Sequence, residues 1–144
     1  MNRHKYAEDI SNLDCDCPPS ENYVEEEKVA YRWVHSDIEH PYNFIPVLKI
    51  DPNRIDDFDD CDDKCKGYGL SLFNDLKKAE NRLTSFLKRK PLLAKTLGNA
   101  IAEGTIEKNE GIASESDKRG HFTFHEDESC DLKPKFTIVK QLNS

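Results

Sequence analysis

The chain has 144 residues and a formal charge of −7, with 36% hydrophobic and 34% charged residues. That length fits one domain, and the negative field argues against non-specific nucleic-acid binding. No apolar run approaches a membrane span and the first residues lack a signal-peptide core, so the expectation is a cytoplasmic protein with no membrane contact.

In a reducing compartment the five cysteines read as thiols or metal ligands rather than disulfides, and an odd count fits no complete disulfide set.

Residues 1–27 read as a peripheral or flexible segment. "DCDCPPSENYVEEE" joins acids and prolines with few large apolar side chains. Residues 28–144 then form a single domain. "KVAYRWVH" alternates as a strand, with Val29, Tyr31, Trp33 and His35 on one face and Ala30, Arg32 and Val34 on the other. "VLKI" is a short strand candidate stopped by the turn signal "DPN", and "DDFDDCDDKC" is an acidic loop. "GYGLSLF" is a strand entered through Gly67 and Gly69. Asn74 or Asp75 caps a principal helix over about 74–90, in which Leu76, Ala79, Leu83, Phe86 and Leu87 recur at helical spacing. Pro91 ends that helix and starts a second short one. "AIAEGTIE", "IASES", "HFTFHE" and "KFTIVKQL" follow as strands separated by turns. The fold class is α+β, a mainly antiparallel sheet with one principal helix. Core candidates include Trp33, Val34, Phe44, Leu70, Leu72, Phe73, Leu83, Phe122, Phe124 and Phe136.

Several chemistries can be weighed against packing. Cys15 with Cys17, and Cys61 with Cys65, offer four thiols, but neither pair has the C-x-x-C spacing usual for structural zinc, and neighbouring aspartates disfavour thiolates. Free surface thiols are the better reading, and no metal is expected. The aspartates of 56–63 lack the glycine and glutamate of a calcium loop. His121 and His125 share a strand face and suit acid–base work with Glu126 or Glu128 close by. A polar outward face is the simpler account. No P-loop or G-x-G-x-x-G is present, and Gly69-Leu70-Ser71-Leu72-Phe73 lacks the second glycine of a nucleophile elbow.

One arrangement gives a role to a serine between leucines. Arg32 in "AYRWVH", Ser71 in "GYGLSLF", and Glu103 in "AIAEGTI" or Glu126 in "HFTFHE" resemble, in order, the arginine, serine and glutamate of small mono-ADP-ribosyltransferase domains. The resemblance implies NAD as cofactor. It implies Arg32 on phosphate with Tyr68 as a further contact, Ser71 shaping the nicotinamide pocket, and Glu103 or Glu126 on a ribose hydroxyl. A carboxylate there would stabilise an oxocarbenium-like transition state.

The competing expectation, and the one preferred at this level, is a small acidic partner-binding protein. Its partner would carry a basic surface, and the character of the chain suggests a component of a bacterial or phage conflict system. A converging pocket holding Arg32 and Ser71 separates the enzyme-like reading from a flat acidic face.

Overall fold

The computed structural model describes residues 3–19 and 21–142. Its centre is one antiparallel sheet of seven strands in the order β1-β5-β6-β3-β2-β4-β7. The strands are β1 (Tyr23–Val24), β2 (Lys28–Val34), β3 (Leu70–Phe73), β4 (Ala100–Ile106), β5 (Gly111–Ser114), β6 (His121–Glu126) and β7 (Thr137–Gln141). The helices are α1 (Ala7–Ile10), α2 (Val47–Ile50), α3 (Cys61–Lys66), α4 (Leu76–Arg89) and α5 (Ala94–Leu97). The α+β architecture with one long helix and a short second one after Pro91 is as the periodicity predicts. Among the described residues no helix is long and apolar enough to cross a membrane.

Alternation along β2 divides the core in two. Tyr31 and Trp33 pack with Phe73, Ile101, Ala79 and Leu83 beneath α4. Ala30 and Val34 point to the other face, where Leu70, Leu72, Phe122, Phe124, Leu132 and Phe136 are buried. α4 starts where Asp75 accepts the Lys78 backbone N–H at 2.9 Å, satisfying one of the donors a helix N-terminus leaves open. Gly104 is required by packing: a Cβ there would lie 2.5 Å from Cδ1 of Phe136.

Four expectations need correction. "VLKI" is helical, not a strand. Four residues are too few to fix a period, and Leu48 turns inward over Gly67, where a Cβ would meet its Cδ1 at 2.6 Å. The acidic run is not a loop throughout. It forms a 3-10 turn at Pro52–Asp57 and then α3, because Asp60 caps α3 by accepting the Asp63 N–H at 2.8 Å. Acids in the first turn and Lys64 and Lys66 in the last suit the helix dipole.

The third correction concerns sulfur. Cys15 is bonded to Cys61 and Cys17 to Cys65, leaving Cys130 as the free, buried cysteine. α3 sets Cys61 and Cys65 one turn apart on one face, opposite the closely spaced Cys15 and Cys17. The segment around Cys15 and Cys17 is thus tied to the body, and Ile10 and Tyr23 are buried. Fourth, the 121–125 face is not a solvent face along its length: Thr123 and His125 are buried, while His121 is half-buried.

Candidate functional site

β2 and β3 pair at one register position only, Tyr31 with Phe73. Beyond it the strands separate, and the side chain of Arg32 does what the backbone ladder no longer does. Its Nη1 donates to the Ser71 carbonyl at 2.9 Å, its Nε to the Asn43 carbonyl at 2.6 Å, and its Nη2 reaches the Ile45 carbonyl at 3.5 Å. Three of the five guanidinium N–H groups are thereby committed to backbone oxygens. Burial pushes the guanidinium down to about 10, opposed by the charge of Glu126.

The separation opens a cleft of about 420 Å³. Arg32, Trp33, Gly69 and Ser71 line its floor, and the 42–51 segment and the Lys95–Leu97 turn line its sides. Four of its lining residues are cationic (Arg32, Arg54, Lys66 and Lys95) against one acid, Asp51. The cleft is therefore locally basic in a chain of net charge −7. Arg54, Lys66 and Lys95 are exposed. Tyr42, 49% exposed, offers an open aromatic face at the rim. Trp33 is fixed beneath by its indole N–H on the Ala79 carbonyl at 3.0 Å. His35 stacks on His40 at 3.8 Å between centroids, and burial followed by His40 lowers its pKa.

Ser71 answers for the hydroxyl between leucines. Leu70 and Leu72 face the core, and Ser71 on the opposite face is exposed. Its Oγ is 2.9 Å from Nε2 of His121, which lies diagonally across the β3–β6 pair. His121 Nδ1 stands 4.0 Å from Asp117 Oδ2. Burial, then Lys66 and Arg82, lower the His121 pKa against the pull of Asp117. The pair can hold and pass a proton. Ser71 sits in a regular strand, not a strained elbow.

The remaining predicted residues fall in three places. Glu103 is exposed on β4 beside Tyr31, on the face away from Arg32. Glu126 is buried on the same face as Arg32's core neighbours; Lys5 Nζ lies 2.7 Å from its Oε2, and its Oε1 is buried without a hydrogen-bond partner among the described residues. Burial raises the Glu126 pKa and Lys5 opposes the rise. Glu126 opens to a second hollow of about 330 Å³, lined also by Lys5, Tyr6 and Phe44, which meets the first at Ile45. Tyr68 follows α3 near Asp9 and Lys49 and does not line the cleft. Sequence reasoning missed Arg54, Lys66, Lys95 and Tyr42, which lie in short or irregular segments without a period to place them. The chain matches no family model, no curated protein and no solved structure.

Proposed function

We propose that this chain is a nucleotide-binding domain of ADP-ribosyltransferase-like character, taking an NAD-like dinucleotide in the cleft between β2 and β3. The observation that carries the reading is the convergence of Arg32 and Ser71 on one basic cleft, joined by the Nη1–carbonyl bond. Arg32, Arg54, Lys66 and Lys95 supply charge for the pyrophosphate, and Tyr42 a surface for a base or nicotinamide ring. Of the two glutamates, Glu126 suits the carboxylate role better, because it lines a hollow that shares Ile45 with the cleft, whereas Glu103 lies on the face of the sheet away from Arg32. Cleavage of the nicotinamide–ribose bond would develop positive charge at the ribose carbon, of the kind a nearby carboxylate stabilises.

Calorimetric titration with NAD tests the reading. Wild-type chain should bind, and Arg54→Ala with Lys95→Ala, both exposed and remote from the core, should weaken binding about tenfold or more. Heat identical in wild type and double variant would remove the assignment.

A second reading has its own observation. Asp56, Asp57, Asp59, Asp60 and Asp62 are exposed along one stretch, a surface suited to a basic protein partner, as in a conflict-system component. Association that slows steeply with salt and is untouched by Arg54→Ala and Lys95→Ala would favour it. A bridged chain belongs to an oxidising compartment, whereas the cytoplasmic location expected from the sequence belongs to its reduced form.

A further inference from the structure

We propose that, when its disulfides are reduced, the chain holds one zinc-type divalent metal ion on Cys17, Cys65 and His125. Sγ of Cys17, Sγ of Cys65 and a ring nitrogen of His125 lie within 4.8 Å of one another, and His125 Nε2 is 3.8 Å from Cys65 Sγ. Around a tetrahedral zinc with ordinary Zn–S and Zn–N bonds, ligand atoms stand about 3.5–3.8 Å apart. The sulfur–nitrogen pair already has that spacing. The two sulfurs reach it when their bond is broken and they relax to non-bonded contact.

The surroundings suit a ligand set. Cys65 and His125 are buried and Cys17 is half-buried, which leaves one side open for entry. Gly69 makes room for the imidazole: a Cβ there would lie 3.2 Å from His125 Nε2. Tyr23 packs edge-on against the ring at 5.2 Å, restricting its orientation. His125 comes from β6 and Cys65 from α3, so two separate elements of the body fix two ligands before the third arrives from the N-terminal segment. The fourth position goes to water, the pattern of zinc sites with three protein ligands.

The chemistry balances with a dithiol reductant. Two electrons and two protons pass to the Cys17–Cys65 bond, the dithiol closes to its own disulfide, and metal binding then releases the two thiol protons. A second equivalent opens Cys15–Cys61. Bridged and metal-bound states are mutually exclusive because they use the same two sulfurs. The site is independent of the nucleotide reading.

Cobalt reports the geometry. Full-length chain is reduced with dithiothreitol, freed of it by anaerobic gel filtration, and titrated with Co²⁺. The expected result is one ion per chain, thiolate-to-cobalt charge transfer in the near ultraviolet, and the intense visible bands of a tetrahedral site. His125→Asn should weaken uptake by more than about tenfold and shift the visible bands, while Cys15→Ser with Cys61→Ser should keep a single site. Circular dichroism of each reduced protein guards against a folding artefact: a reduced chain that has unfolded must recover its native signal on adding cobalt. No thiolate band, equal uptake by the bridged chain, affinity and visible bands unchanged in His125→Asn, loss of the site in the Cys15, Cys61 double variant, or no recovery of fold would each overturn the site.

Discussion

Arg32 acts as a structural tie. Its three carbonyl partners lie on β3 and on the 43–45 segment, so removing it leaves backbone oxygens without donors where the sheet opens. Arg32→Ala should cost about 2–3 kcal/mol in urea unfolding, and Arg32→Lys should recover only part, since a single compact ammonium nitrogen cannot occupy the three separate donor positions of the planar guanidinium. Equal stability of Arg32→Ala and wild type would mean the tie is not made in solution.

His121 gives a pH signature at the same scale. Its pKa is lowered on folding, chiefly by burial, so the unfolded chain takes up a proton below about pH 6.5 that the folded chain still refuses. Stability should therefore fall as pH drops below that point. The pKa values of His35 and His125 are lowered in the same sense, so His121→Asn should reduce that slope without abolishing it, measured by thermal unfolding at several pH values; a slope unchanged in the variant would put the titration elsewhere. The protonated ring donates from Nε2 to the Ser71 oxygen, whereas in the neutral ring the direction of that bond is set by the tautomer.

At the scale of elements, β3 carries opposite loads on its two faces. Leu72 is fully buried and Ser71 is exposed. Leu72→Ala should cost about 2–5 kcal/mol by denaturant unfolding, Ser71→Ala close to none. Comparable small losses at both positions would contradict the register. The strands from β2 onward, a helix cap at Asn74 or Asp75 and the placing of Ser71 opposite the leucines were legible in the sequence, because each rests on a local period or a cap; the two-residue β1, inside the segment read as peripheral, was not. α3 was not, since aspartates read as loop residues until one of them is seen to cap.

The disulfides were illegible for a different reason. Their partners are 46 and 48 residues apart, and nothing local reports such a pairing. Two near-parallel bridges closing loops of that size constrain the unfolded chain, so replacing all four bridged cysteines by serine should lower stability by about 2–4 kcal/mol, whereas Cys15→Ser with Cys61→Ser should cost less because Cys17–Cys65 still closes nearly the same loop. A loss that persists undiminished when the wild-type reference is also reduced would assign the effect to packing rather than to the crosslink.

At the scale of the whole molecule, charge is unevenly spread. The chain is acidic overall, yet the opening between β2 and β3 collects cations from β2, the 52–57 turn, the end of α3 and α5. Arg32 and Ser71 could be nominated from sequence because both sit on regular strands. Their meeting depends on strand order, which places β3 next to β2 although 35 residues separate Val34 from Leu70 in the chain. Placing Glu103 and Glu126 relative to Arg32 likewise needed the sheet, because the two lie in different strands and on different faces.

The most direct test of the proposal that the cleft takes a dinucleotide is protein-observed NMR during titration with NAD. The account predicts saturable shifts confined to Arg32, Trp33, Ser71, Tyr42 and the Lys95–Leu97 turn, largely lost in Arg54→Ala with Lys95→Ala. Absence of shifts at millimolar NAD, or shifts spread over the acidic 56–62 stretch instead, would contradict it and leave Ser71 as the solvent-facing partner of His121.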